Sequence, residues 1–132
     1  MQTLKAIKII WIFGILLTIL SCSNDNKGST QEQEAQQLSE MFAEIEALAS
    51  SESCDDASEW TFTSYGSKAC GGPFGYIAYS VNIDTELFLQ KVEEHKTAQQ
   101  IYNEKWDIIS DCSVPQEPDA VVCENGNPVF EF

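Results

Sequence analysis

The chain contains no arginine, and its seven lysines stand against 21 acidic residues, for a formal net charge of −14. A surface so short of cations cannot neutralise a phosphate backbone, which argues against nucleic acid as a partner. The same shortage argues against docking on anionic lipid through a basic face. There is one histidine, His95, so no histidine pair exists to ligate a metal. The gaps between Cys54, Cys70, Cys112 and Cys123 hold 15, 41 and 10 residues, so the close pairs of zinc sites and the C-x-x-C of redox catalysts are missing. No nucleophile elbow G-x-S-x-G, no P-loop and no EF-hand loop occurs, and there is no internal repeat. The apolar run Ile9–Leu20 is twelve residues long and contains Gly14 and Thr18. Crossing a bilayer takes about 20 apolar residues, so this run is too short for a transmembrane helix.

What the N-terminus does have is ordered. Lys5 and Lys8 precede the apolar run, which ends in Ile19-Leu20-Ser21-Cys22, and the polar stretch Ser23–Thr30 follows. A basic start, a short apolar core and a small residue before the cut describe a secretory signal. The Ile-Leu-Ser-Cys ending resembles the lipobox of bacterial lipoproteins. That resemblance implies that Cys22 becomes the lipidated first residue of the mature protein. The expected organisation is therefore a signal over 1–21, a lipidated cysteine and flexible tether over 22–30, an amphipathic helix over 31–51 and a folded domain over 52–132.

Removing the signal takes away Lys5 and Lys8 but no acid, leaving five lysines against 21 acids and a net charge of −16. Such acidity keeps a protein soluble and repels a like-charged envelope, and it also suits a basic partner. With Cys22 lipidated, four cysteines remain. An even number in a small exported domain predicts two disulfides. A core of about 80 residues is marginal on apolar burial alone, which gives such staples a physical purpose. Four cysteines allow three connectivities, and spacing does not choose among them; the local pattern, Cys54–Cys70 with Cys112–Cys123, is the expectation adopted.

Ser29 and Glu32 match a capping box at the start of the first helix. Leu38, Met41, Phe42, Ile45 and Leu48 form one apolar stripe, while Gln31–Gln37 has none and is expected to be solvated or frayed. Trp60–Tyr65 alternates and is rich in aromatic and β-branched residues, predicting a strand, and Tyr76–Val81 predicts a second. Asp84 is a plausible N-cap. Phe88, Val92, His95, Gln99, Tyr102 and Trp106 recur at four and three, and Thr97 with Gln100 offers a further cap, predicting two short helices, 84–95 and 97–107, with a kink near Lys96. Asn125-Gly126 between Ala120–Cys123 and Pro128–Phe132 signals a hairpin, with Pro128 at an edge or strand start. The fold class expected is α+β: a small antiparallel sheet with a C-terminal hairpin, packed by short helices and preceded by an amphipathic helix.

Four features are candidates for chemistry. In Lys68-Ala69-Cys70-Gly71-Gly72-Pro73 the glycines allow left-handed backbone, and successive amides beside Lys68 could cradle an anion; the plainer reading is a tight turn beside a disulfide. His95 sits on or near the helical stripe, where packing is its ordinary role, and no nucleophile and orienting acid are signalled beside it. Asp55, Asp56 and Glu59 could supply oxygens to a cation but fit no calcium-loop pattern, so a solvated turn is the expectation. Trp60, Tyr65, Phe74, Tyr76 and Tyr79 serve equally as core or as a platform for a sugar or protein. Phe74 and Tyr76 follow the Gly-Gly-Pro turn and are the ones expected at the surface. The candidate contact residues are thus Lys68, Gly71, Gly72, Phe74 and Tyr76. No catalytic residue, metal or cofactor is assigned.

Taken together, Trp60-Thr61-Phe62, Gly66–Pro73, Tyr76–Ser80, Tyr102–Trp106, Ser110-Asp111-Cys112 and Cys123–Gly126 resemble small exported lipoproteins of Bacteroidota-type bacteria. The resemblance covers about residues 53–132 and implies an envelope location and a stapled domain, with no activity and no catalytic residues. The location expected is the cell envelope, anchored by acyl chains, at the outer membrane, with the periplasmic and surface faces both open. The function expected is a binding or interaction module with a protein or glycan partner in the envelope, including the inhibitor of a basic enzyme. The alternatives are a hydrolase using Asp or Glu carboxylates and a purely structural envelope protein.

Overall fold

The computed structural model describes residues 28–132. The expected signal over 1–21, the expected lipidation site Cys22 and positions 23–27 of the expected tether lie outside the described residues.

Helix α1 (Gln31–Ala49) starts at Thr30, whose hydroxyl accepts from the Gln33 amide at 3.3 Å while Gln33 Oε1 accepts from the Thr30 amide at 2.9 Å. This reciprocal capping box lies one residue beyond the expected Ser29–Glu32 pair, because Thr30-x-x-Gln33 satisfies the same template. Ser29 Oγ donates instead to the Glu34 carboxylate. The stripe falls where its spacing predicts: Ile45 and Ala49 are buried, and Leu38, Met41, Phe42 and Leu48 are half-buried. Gln31–Gln37 is helical and, apart from half-buried Glu34, solvent-exposed, which is the solvated form of the expectation and not the frayed one. Glu34 accepts from Lys105 Nζ and from Trp106 Nε1, the latter at 2.7 Å, and so ties the first turn of α1 to the end of the second helix.

That second helix, α2 (Thr85–Lys105), begins at Asp84, which accepts from the Leu87 amide at 3.0 Å as its N-cap. It is one continuous helix of 21 residues, not two meeting at Lys96. The Thr97–Gln100 capping pattern goes unused because Phe88, Val92 and His95 on one side of it and Gln99 and Tyr102 on the other continue a single buried or half-buried face. A break would turn half of that face away from the core, a loss larger than one cap is worth.

Strand β1 (Trp60–Tyr65) follows a single 3-10 turn over Ala57–Glu59 and pairs antiparallel with β2 (Gly75–Ser80), in register from Trp60 opposite Ser80 to Tyr65 opposite Gly75. Strands β3 (Ala120–Glu124) and β4 (Asn127–Glu131) form the expected C-terminal hairpin. Asn125 and Gly126 both have positive φ, 52° and 79°, as a two-residue turn matched to strand twist requires. The class is α+β as expected, but the strands make two separate two-stranded ribbons.

The β1–β2 ribbon is apolar on both faces. Tyr65, Ile77 and Tyr79 pack with Phe42, Ile45, Ala49, Phe88 and Val92 of the helix pair. Trp60, Phe62 and Ala78, on the opposite face, pack with Cys54, Val121, Cys123 and Phe130 on the side of the hairpin. Three layers result: helices, ribbon, hairpin.

The disulfides are Cys54–Cys123 and Cys70–Cys112, with Cα separations of 5.2 and 5.5 Å. The local pairing is therefore corrected. The Cys54 amide donates to Gly126 O, which sets it beside the hairpin, and the Cys70 amide donates to Ser110 Oγ, which sets it beside the segment after α2. The observed bonds close sequence separations of 69 and 42, and on a chain-entropy argument each constrains the unfolded state by about 4 kcal/mol.

Peptide mapping without reduction should recover Cys54 joined to Cys123 and Cys70 joined to Cys112, and a Cys54–Cys70 peptide would refute the layer order. A pH effect follows from Glu34. Hydrogen bonds from Lys105, then Ser29 and Trp106, pull its carboxyl from an ordinary 4.5 to about 2. Because the folded value is the lower one, its contribution is complete above the unfolded pKa and is lost as pH falls from about 4.5 towards 2. Denaturation curves of Glu34→Gln should therefore differ from those of the unmodified protein at pH 7 and converge on them near pH 2.

Candidate functional site

The Gly-Gly-Pro loop is held from two sides. From α2, Gln99 Oε1 accepts from the Ser67 amide at 2.9 Å, and Asn103, itself buried, donates through Nδ2 to Ser67 O at 2.8 Å. From the segment after α2 comes the Cys70–Cys112 bond. Lys68, the proposed anion contact, is turned inward with its side chain only 10% exposed. Its ammonium donates to Asp111 Oδ1 at 2.6 Å, Ser113 O at 2.7 Å and Ser113 Oγ at 3.0 Å. All three of its protons are thus engaged by its own chain. The Asp111 carboxyl is in turn held below the usual carboxylate range by Lys68 and then by Ser113. The loop amides are also engaged: Lys68 N–H donates to Gly72 O, and Gly71 N–H to Lys68 O. Gly71 and Gly72 do take the left-handed backbone expected of them, with φ of 91° and 82°.

Phe74 and Tyr76 point to different places. Phe74 is 43% exposed and lies over Gly66, beside a cavity of about 350 Å³ between the helices. That cavity is also lined by Phe42, Tyr65, His95, Gln99 and Tyr102. His95 is buried, with the Phe42 ring 5.4 Å away, and burial keeps its imidazole below its ordinary pKa. Its Nδ1 has no hydrogen-bond partner among the described residues. No carboxylate lines this cavity to orient an imidazole, so the packing role expected of His95 fits its surroundings.

Tyr76 belongs to the other side of the ribbon. Its ring meets Phe62 edge-on at 5.9 Å, Phe62 meets Phe130 at 6.1 Å, and Phe130 meets Phe132 at 6.2 Å. This aromatic row joins the two ribbons and ends at Phe132, which is 65% exposed. Tyr76 and Phe130 also line a cleft of about 650 Å³ formed by Glu46–Ser53, by the middle of β2 and by the turn and strand of β4. Of the other aromatics, Trp60 and Tyr79 are buried in the core.

Within the acidic group, Asp56 caps the 3-10 turn: its Oδ1 accepts from the Ser58 amide and hydroxyl at 2.9 and 2.8 Å, which lowers its pKa. Among the described residues no three His, Cys, Asp or Glu side chains are grouped so as to hold a metal ion.

Of the two aromatics expected at the surface, Phe74 is exposed and Tyr76 is half-buried against Phe62, and the sequence did not signal the cleft, whose walls come from segments about 25 and 50 residues apart. Comparison with protein-family models, with curated proteins and with solved structures finds no match.

Gly66 has φ of 71°, and a Cβ there would sit 2.8 Å from Phe74 Cδ2 and 2.9 Å from Gln99 Oε1. Gly66→Ala should destabilise by about 2 kcal/mol through backbone strain plus the displaced neighbours. Gly71→Ala, which meets nothing within 4 Å, should cost only about 1 kcal/mol. Urea denaturation compares the two, and equal effects would show that the Gly66 contact is not tight.

Proposed function

We propose that the protein is a lipid-anchored module of a bacterial cell envelope, at the outer membrane, that binds a cationic protein partner. One observation carries this reading. Every lysine among the described residues is already ion-paired within the chain: Lys68 with Asp111 at 2.6 Å, Lys91 with Glu44 at 2.6 Å, Lys96 with Glu93 at 3.2 Å, and Lys105 with Glu34. The described residues hold 20 of the chain's 21 acids, so most carboxylates face solvent with no internal cation to meet them. Such a surface attracts cationic partners and accelerates their encounter, and it disfavours anionic ones.

The anchor supplies the location. Among the described residues no helix is long and apolar enough to cross a membrane. Attachment in this reading rests on acyl chains at Cys22, where two or more chains hold firmly and one is marginal. In this reading residues 23–27 link the anchor to the described domain, where Thr30 caps α1. A basic envelope enzyme inhibited by this surface is one form the partnership would take.

The test uses the protein extracted from its membrane in detergent. Its intact mass should equal that of residues 22–132 plus acyl groups. Immobilised, it should retain basic envelope proteins near 0.02 M salt and release most of them by about 0.2 M, as screening shortens the reach of its field. Retention of acidic proteins to the same extent, or of neither, would dismiss the cationic-partner reading.

A further inference from the structure

The cleft beside Tyr76 looks edge-on at β2. Three consecutive strand residues, Tyr76, Ile77 and Ala78, line it. Their side chains alternate between the two faces of the ribbon, so a surface touched by all three is the strand's edge. The opposite edge of β2 is occupied by β1. The edge facing the cleft is therefore the unpaired one.

The hydrogen-bond phase says which groups it presents. Val81 N–H donates to Glu59 O, just beyond the Trp60–Ser80 pair. Alternation from there places Tyr79 and Ile77 at hydrogen-bonded positions towards β1, and leaves the N–H and C=O of Ala78 and Tyr76 directed outward. Among the described residues neither has a backbone partner outside its own ribbon. Two donors and two acceptors are thus aligned along the cleft wall at strand spacing.

The rest of the wall qualifies what would pair there. Its charged side chains are Glu46 and Glu52, and neither has an ion-pair partner among the described residues. No lysine lines the cleft. Tyr76 and Phe130 supply aromatic surface. Across the cleft Pro128 has no N–H, so β4 cannot offer a complete second edge.

We infer that this cleft receives an extended, lysine- or arginine-bearing segment of a protein partner, which adds to β2 as a third strand. The inference rests on the cationic-partner reading and gives that partner a place and a conformation. The main-chain groups of Tyr76 and Ala78 provide the pairing, Glu46 and Glu52 receive the basic side chains, and Tyr76 with Phe130 contacts their stems or the residues between them. Strand addition also suits the ribbon itself, since two strands alone are marginal.

The probe is a synthetic octapeptide of alternating lysine and valine, titrated by fluorescence anisotropy into the mature full-length protein in detergent. Two comparisons decide. The same peptide N-methylated at alternate amides keeps its charge but cannot pair along one edge. It should bind about tenfold more weakly. The double variant Glu46→Lys/Glu52→Lys should also lose about tenfold, whereas Glu86→Lys/Glu104→Lys, of equal net charge and on α2 away from the cleft, should stay within about threefold.

Equal losses from the two double variants, or unimpaired binding of the methylated peptide, would overturn the cleft assignment while leaving the cationic-partner reading in place. Failure to bind any cationic peptide or protein would remove both. Saturation of the cleft by a neutral oligosaccharide in place of the peptide, seen through the Tyr76 and Phe130 ring resonances, would overturn the strand in favour of a glycan platform. The methylated-peptide arm uses the unmodified protein, so no folding defect in a variant can obscure it.

Discussion

A two-stranded ribbon with apolar side chains on both faces must be covered twice. That requirement organises this molecule. Phe62, Trp60 and Ala78 on one face and Tyr65, Ile77 and Tyr79 on the other leave no side of β1–β2 suited to water. The helix pair covers one face and the C-terminal hairpin the other, each of which is itself too small to stand alone. Phe88 and Ile45, both fully buried, close the helical side, with the Phe88 and Tyr79 rings 4.5 Å apart. The disulfides then act where the layers meet. Cys54–Cys123 joins the segment entering the ribbon to the hairpin, and Cys70–Cys112 joins the ribbon's loop to the chain leaving α2.

The charge distribution works against this compactness and explains where the lysines went. The described residues carry four lysines against 20 acids, a charge of −16 that is self-repelling on so small a domain. Three of the four described lysines form ion pairs between segments distant in sequence: Lys105 to the start of α1, Lys91 to its middle, and Lys68 to the 110–113 segment. These three lysines thus serve as internal ties, each joining segments that acids alone would push apart. What remains outside is almost purely anionic. The exposed character proposed to attract a partner is, physically, the remainder after the fold has used its cations.

Much of the fold was legible because the signals were local. The α1 stripe, the Trp60–Tyr65 strand, the Asp84 cap and the Asn125-Gly126 turn each depend on a few neighbouring residues, and each appears where its spacing indicates. The misreadings share a different cause. Ser29–Glu32 and Thr30–Gln33 satisfy the same capping template; the helix uses the second, and Ser29 bonds instead to Glu34, which Lys105 and Trp106 also hold. The Thr97–Gln100 cap was available, but the buried face running from Phe88 to Tyr102 outweighed it. At the candidate site, Phe74 was placed at the surface correctly, whereas Lys68 was offered as a free cation because Asp111 and Ser113 lie more than 40 residues away.

The amino-acid sequence by itself determined the helix and strand periods, the turn chemistry, the excess of acid and the even set of cysteines in the domain. All of these are properties of composition or of residues within one or two turns of each other. Only the tertiary structure settled which cysteines bond, which acid each described lysine pairs with, and which strand edge stays open. Those outcomes depend on loop closures of 40 to 70 residues, whose entropic cost rises so slowly with length that spacing barely discriminates among them. The choice fell instead to the packing of two faces of one ribbon, which brings Cys54 to Cys123 and Cys70 to Cys112 and leaves the outer edge of β2 facing an acidic cleft.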